Sequence, residues 1–392
     1  MERRRHVTFR SIVRVKVRVS DMGKHDMSKG KNQYPQVAVV TPVYNGSPYL
    51  QRTLACVQGQ TYPNLVHVVL DNASTDDTPR VIAEARGGRV PILARRNSSV
   101  LPQIENWNAA IAMTPPEAAY VKFLCADDLV RADAIERMVN IAEAHPNVHL
   151  VTAIDVFDDW VKPTEFDQKD GVYEGRQVMQ RLLRGTISWF PFPHLFFRVT
   201  PGRLDNPFDP ATTPAPDADF AMRLLLDGDM GFVNAPLFYT RMHAESATSH
   251  MGGSCLFIIT GLERIQRYGR HVLPQWEFER ICSGALRVLL RHILVWRVFR
   301  HSNLAAQTLR TLAELGFKPV PQDYFEAVMT WPYHKARKVV HARIQRHTDP
   351  PMHMIEADFL KNVQTGASQI ACQKPKPWAL RLRGRSRLKR TG

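Results

Sequence analysis

From Val37 onward the chain alternates short apolar runs with stretches whose apolar residues recur at helical spacing. Val37 to Thr41, Leu65 to Leu70, Val90 to Ala94, Tyr120 to Leu124 and Val148 to Thr152 are predicted strands. Each is a brief, nearly continuous apolar run of the kind found in a sheet covered on both faces. Between the first two, Ser47 followed by Pro48 reads as an N-cap and first helical residue, with Leu50, Leu54 and Val57 on one side. Thr78-Pro79 opens a second helix that Gly87-Gly88 stops. A third helix, from about Pro102 to Met113, turns Ile104, Trp107, Asn108 and Ile111 inward. A fourth carries Ile135, Met138, Val139 and Ala142 on one side and ends at Pro146. The alternation predicts a mostly parallel α/β sheet with helices on both faces.

After Asp155 the alternation gives way to aromatic and proline-rich text, including the run from Trp189 to Phe197. Pro214-Ala-Pro-Asp217-Ala-Asp219 leads into another helix, and Gly231 to Val233 with Leu237 to Thr240 are predicted edge strands. Beyond about residue 250 the chain reads as helical. The expected organisation is a basic leader (1–36), an α/β domain (37–248, divided at about 155), a helical extension (249–372) and a basic tail (373–392). Met22 and Met27 are alternative starts within the leader.

The formal charge of +15 lies entirely in the two ends. Residues 1–36 hold ten Lys/Arg against three acids and residues 373–392 hold eight against none, which leaves the body formally neutral. The balance therefore does not mark a nucleic-acid partner. It leaves open a peripheral contact with anionic lipid through the tails, or through residues 286–299, where apolar and Arg positions mix. No secretory signal pattern and no stretch of about 18 apolar residues is present, and five scattered cysteines without a C-x-x-C pair point to a reduced, cytoplasmic setting, in solution or at the inner face of the membrane.

The candidate chemistry lies where strands end. Lys122-Phe-Leu-Cys-Ala-Asp127-Asp128 breaks from an apolar run into two carboxylates, and Val68-Val-Leu-Asp71 breaks into Asn-Ala-Ser-Thr-Asp-Asp-Thr78. Ligands of open α/β sheets bind beyond the carboxyl ends of the strands, and oxygen donors there suit Mg2+ or Mn2+. On an extended strand the side chains of Asp127 and Asp128 would diverge, one toward a metal and one toward a sugar. Asp71 can equally be an Asx turn, since Asp-Asn-Ala-Ser is turn chemistry. Asn108 sits on an apolar helix face, where its amide needs a partner.

Six blocks carry a resemblance: Val39-Val-Thr-Pro-Val-Tyr-Asn45, Val69 to Thr78, Asn106-Trp-Asn-Ala-Ala-Ile111, Phe123 to Asp128, Asp217-Ala-Asp-Phe-Ala-Met-Arg-Leu224 and Tyr239-Thr-Arg-Met-His243. In this order they resemble the family-2 glycosyltransferases of GT-A fold, over roughly residues 36–248. The resemblance implies inverting transfer of a sugar from a nucleotide-diphosphate-sugar donor to a hydroxyl of a glycan or glycolipid acceptor, in cell-surface polysaccharide synthesis. It implies a bound Mn2+ or Mg2+, with Asp128 and His243 in the metal shell. Pro42 and Tyr44 would lie beside the nucleotide base, Asp71 at the base edge, Asp127 near the ribose or diphosphate, and Arg241 on the phosphates. Asn108 would brace a loop or touch the nucleotide. Asp217 corresponds to the family's catalytic acid, presented at a helix start where the dipole favours its ionised form, and Asp219 could exchange roles with it. Trp189, His194 and Asp219 fall on the acceptor side.

Two departures stand out. Pro216 occupies a position where many relatives have Glu, and Cys125 replaces a further acid of the metal block, a change expected to make Cys125 a small apolar filler. That loss supports the rival reading, a catalytically inactive GT-A-like protein that binds nucleotide sugar or a partner. Nucleotidyl transfer is disfavoured, because Tyr44-Asn-Gly-Ser-Pro lacks the Gly-rich basic loop it needs.

Overall fold

The computed structural model describes residues 34–157, 160–161, 166–167, 169–187, 195–210, 215–241, 256–298 and 302–331. Ten strands form one sheet: β1 (Gln36–Val43), β2 (Leu65–Asp71), β3 (Ile92–Arg96), β4 (Ala118–Phe123), β5 (Leu129–Val130), β6 (Val148–Phe157), β7 (Trp160–Val161), β8 (Gly171–Tyr173), β9 (Phe196–Arg198) and β10 (Asp229–Thr240). The order is β3-β2-β1-β4-β9-β6-β10-β5, with β7 on β6 and β8 on β10. β1 pairs in parallel with β2 and β4, β2 with β3, and β6 with β10. The short β9 lies between β4 and β6 and is antiparallel to both. β1, β2, β3, β4, β6 and β10 therefore all end on the same edge of the sheet.

The helices are α1 (Ser47–Gln58), α2 (Thr78–Glu84), α3 (Gln103–Ile111), α4 (Ala134–Ala144), α5 (Gly175–Leu183), α6 (Pro216–Asp227), α7 (Leu256–Val272), α8 (Gln275–Val298), α9 (Ser302–Glu314) and α10 (Pro321–Met329). β1 shows why its run is continuously apolar. Ala38 and Val40 enter the core beneath α3, α5 and α6, while Val37 and Val39 enter the opposite core beneath α1 and α4. The four predicted inward residues of α4 are all buried.

Two expectations are corrected. The predicted edge strands after Gly231 are one interior strand, β10, paired with β6 on one side and with β5 and β8 on the other. The break at Asn234-Ala-Pro236 is an irregularity of register against β6, at a proline that has no N–H to give the ladder. The aromatic text ending at Phe197 supplies β9, whose Phe196 and Phe197 are fully buried on opposite faces of the sheet.

The helical part packs on the sheet domain through α7. Ile265, Tyr268 and Val272 share a core with α5 and α6, while α7 to α10 enclose a second core around Leu262, Leu289, Leu290, Ile293 and Leu312. Within the 286–299 stretch, Arg287 pairs with Glu326 at 2.7 Å, and buried Arg291 donates to the Ala327 carbonyl and the Thr330 hydroxyl at 2.6 and 2.5 Å. These two cations close a seam on α10. No helix among the described residues is long and apolar enough to cross a membrane.

Candidate functional site

The loops after β1 and β2 are fastened to each other. Asn72 N–H donates to the Val43 carbonyl at 2.8 Å, Asn45 N–H to Ser74 Oγ at 2.9 Å, Gly46 N–H to Thr78 Oγ1 at 2.9 Å and Ser47 N–H to Asp76 Oδ2 at 3.0 Å. Thr75 N–H returns the contact to Asn45 Oδ1 at 2.8 Å. Burial pushes the Asp76 carboxyl up, but the hydrogen bonds from Thr78 and Ser47 outweigh it and hold the group down at about 2. Asn45 and Ala73 take the left-handed conformation at φ of 50° and 56°, and for alanine that conformation costs about 1 kcal/mol. Gly46 has no room for a Cβ, which would lie 2.5 Å from Val43 Cγ2.

This bracing places the predicted nucleotide residues. Pro42 is buried opposite Leu70 and Val43 opposite Asp71, and Tyr44, next along the chain, is 51% exposed. Asp71 is buried. Its Oδ1 accepts Ser74 N–H, three residues on, at 2.9 Å, and its Oδ2 accepts from Arg96 at 2.9 Å. Asn108 is fully engaged as a brace: it donates to the Phe208 carbonyl at 2.7 Å and accepts Phe208 N–H at 3.0 Å. This is the bracing role of its two expected ones, made to a backbone 100 residues away.

Asp127 and Asp128 do not lie on an extended strand. β4 ends at Phe123, Asp128 N–H closes a turn on the Cys125 carbonyl at 3.2 Å, and Thr53 of α1 donates to the carbonyls of Ala126 and Asp128 at 2.8 and 3.0 Å. The two carboxylates consequently do not diverge. One ligand atom each from Cys125, Asp127 and Asp128 lies within 4.8 Å of the others. Cys125 is thus a neighbour of the carboxylates as well as a filler, partly buried at the mouth of the turn. Burial pushes its thiol well above the ordinary range, and the carboxylates of Asp128, Asp127 and Asp217 push the same way. Asp127 and Asp128 supply the oxygen donors that Mg2+ or Mn2+ prefers, whereas a thiolate suits softer ions.

Arg241 follows β10 directly and ties that strand to the turn. Its N–H donates to Asp128 Oδ1 at 3.1 Å, its Nε to the Asp127 carbonyl at 3.1 Å, and its guanidinium lies 4.9 Å from the centre of the Tyr49 ring. Beneath them is a buried charge cluster that the sequence reasoning passed over. Lys122 on β4 is fully buried with its Nζ 4.0 Å above the Phe238 ring, and Asp155 on β6 accepts from Thr240 Oγ1 at 3.0 Å. Burial, Asp127 and Asp155 push the Asp128 carboxyl well up, against the Arg241 N–H and Lys122. Burial likewise lowers the Lys122 amine to about 7, against the carboxylates of Asp128 and Asp155. The available signal was a single lysine inside an otherwise apolar strand.

Asp217 is the second residue of α6, with Oδ1 accepting Ala218 N–H at 2.8 Å, and it lies near enough to Cys125 to bias its thiol. Asp219 points elsewhere. It is buried, its Oδ1 accepts from Tyr268 at 2.6 Å and Arg267 at 3.2 Å, and its Oδ2 accepts from Arg223 at 3.2 Å. It fastens α6 to α7, so neither an acceptor contact nor an exchange of roles with Asp217 fits its position. Trp189, His194 and His243 lie outside the described residues.

Ligands of open α/β sheets bind beyond the edge where the parallel strands end, which is where these carboxylates gather. Residues 38–200 match the family model for glycosyl transferase family 2, and the fold is of GT-A type. Among curated relatives, it is 32% identical over 121 residues to the uncharacterized protein y4gI of Sinorhizobium fredii, covering 30% of this chain and 13% of that one. It is 22% identical over 220 residues to the putative glycosyltransferase EpsH of Bacillus subtilis, covering 54% and 62%. The matched part is thus less than two thirds of either relative's length. Among solved structures, S. aureus TarS residues 1–349 in complex with UDP-GlcNAc superposes with a TM-score of 0.50 at 17% identity, covering 74% of this chain and 79% of that one.

Proposed function

We propose that this protein is an inverting glycosyltransferase that moves a sugar from a nucleotide-diphosphate-sugar donor to a hydroxyl of a glycan or glycolipid acceptor, in the making of a cell-surface polysaccharide. The observation that carries the reading is the junction at Asp128. Two chain segments, 125–128 and 241, meet where the parallel strands end, and Asp217 lies within electrostatic reach of Cys125. Asp127 and Asp128 would hold a Mn2+ or Mg2+ ion, whose charge would offset that of the leaving diphosphate. Arg241, held by its N–H and Nε, would meet phosphate oxygens, and Tyr44 and Asp71 would meet the base.

Asp217 is the general base. Its carboxylate takes the proton of the acceptor hydroxyl as that oxygen attacks the anomeric carbon from the face opposite the diphosphate. The new C–O bond forms, the bond to the diphosphate breaks, and the nucleoside diphosphate leaves with the electron pair. A protein acting this way on a cytoplasmic nucleotide sugar would work in the cytoplasm or at the inner membrane face. The test is Asp217→Asn. Transfer should fall by about a thousandfold with donor affinity unchanged; loss of donor affinity would move Asp217 into the nucleotide site. Full transfer with Asp217→Asn would place the base elsewhere, and no transfer in the native chain would favour the inactive nucleotide-sugar binder that Cys125 suggests.

A further inference from the structure

Helix α10 is turned inside out. Its inner side carries the polar contacts: Glu326 pairs with Arg287 at 2.7 Å, and the Ala327 carbonyl and the Thr330 hydroxyl accept from Arg291 at 2.6 and 2.5 Å. Ala327 and Tyr324 give the helix its apolar footing in the second core. The outer side holds Pro321, Phe325, Val328 and Met329, a spacing that one helix face collects, with Gln322 at its edge. Phe325 is 65% and Met329 63% exposed, and Val328, Val320 before the helix and Trp331 beyond it are exposed as well. A contiguous apolar patch of this kind marks a surface that meets another one.

The chain on either side indicates what it meets. Trp331 is the last residue described, and residues 332–392 carry fourteen Lys/Arg against three acids, with Lys335, Arg337 and Lys338 within seven positions of Trp331. Lys318, two residues before Val320, is exposed. A short apolar face flanked by cations suits the boundary of an anionic bilayer. There the apolar side chains enter the acyl region, tryptophan sits at headgroup level, and Lys/Arg meet the phosphates. A second copy of the chain is a poorer match. Five side chains offer a few hundred Å2, against the roughly 800 Å2 per partner that a stable dimer buries, and pairing here would bring two like-charged tails together.

We propose that the outer face of α10, with Trp331 and the basic chain that follows, is a docking surface for an anionic membrane. The lipid contact expected of residues 286–299 then falls on the neighbouring helix, because Arg287 and Arg291 are turned to α10. The inference is independent of the transferase reading, since it concerns how the protein is held at a surface.

The test is sedimentation of the full chain with vesicles of phosphatidylcholine, and of phosphatidylcholine mixed with phosphatidylglycerol, in low and high salt and without donor or metal. The native chain should bind the mixed vesicles about tenfold or more tightly than the neutral ones and weaken with salt. Phe325→Gln combined with Met329→Gln should lower that affinity about tenfold at either salt concentration. Lys335→Gln, Arg337→Gln and Lys338→Gln together should lower it about tenfold in low salt only. Neither set should move the melting temperature without lipid. The inference fails if the native chain ignores mixed vesicles, or if the Phe325/Met329 pair of substitutions leaves binding intact, which would make the tail the sole contact. It fails too if that pair lowers the melting temperature without lipid or turns a dimer into a monomer, because the chain itself or a second copy would then cover the face. Equal binding to neutral and mixed vesicles would overturn the assignment to an anionic surface. Asp217→Asn should bind vesicles as the native chain does, so loss of the transferase reading leaves this one standing.

Discussion

The two sides of the crevice are held in opposite ways. On the nucleotide side the support is local: Asp71 is fixed by Ser74, three residues on, and by Arg96, 25 residues on, while the loops after β1 and β2 fasten each other. On the catalytic side the support is remote. Asp128 is met by Arg241 across 113 residues, and α6 is anchored to α7 through Asp219 and Tyr268 across 49. On the proposed function, local bracing makes a donor platform that stays formed when the rest is disturbed, and remote bracing makes catalysis depend on how α6, β10 and α7 pack, so the two sides should be separable by mutation.

The strongest way to separate them is Asp217→Asn, with the thousandfold loss of transfer and intact donor affinity given above. Next is Asp219→Ala, which strands the buried Tyr268 hydroxyl and cuts the α6–α7 clamp. Its two arginine partners are partly exposed and contribute little, so the cost should be about 2–3 kcal/mol in denaturant unfolding. Transfer should fall with it, and an unchanged unfolding midpoint would show that the clamp carries no weight.

A third test lies within the nucleotide side. His67 on β2 is fully buried beside Thr41 Oγ1 at 2.9 Å, and burial lowers its imidazole to about 3. Its pKa in the fold is depressed below the unfolded value, so the unfolded chain binds the extra proton. The stability this provides is complete above about 6.5 and is lost as pH falls toward 3. Between those values the native chain should lose up to about 1.4 kcal/mol per pH unit relative to His67→Asn. Parallel stability curves for the two proteins would contradict it. The smallest expected effect is Thr53→Val. Freeing the carbonyls of Ala126 and Asp128 should cost about 1 kcal/mol and weaken Mn2+-dependent donor binding, with binding in the absence of metal unaffected.

The contrast in bracing also explains what could be read in the sequence. β1, β2, β4 and their following loops declare themselves because apolar runs and turn residues are adjacent in the text, and Asp71-Asn-Ala-Ser both names a turn and forms one. The positions of Asp127 and Asp128 were legible, but not the turn that draws them together with Cys125, because Thr53 and Arg241 hold it from other segments. β9 was hidden because three residues between two strands carry no period. Asp219 looked like a neighbour of the chemistry for the same reason. Its partners Arg267 and Tyr268 belong to a helix whose packing no local pattern announces. Lys122 and Asp155 were overlooked because a buried charge is recognised only once its surroundings are known.

The most direct test of one shared crevice is thermal melting of the full chain and of Asp128→Ala across a panel of nucleoside diphosphate sugars, with Mn2+ and with EDTA. The account predicts a rise in melting temperature for a nucleotide sugar with Mn2+, equivalent to about 2.7 kcal/mol at a hundredfold excess over Kd, and its loss with EDTA or in Asp128→Ala. A rise of equal size under all three conditions would contradict it, and so would the absence of any rise across the panel.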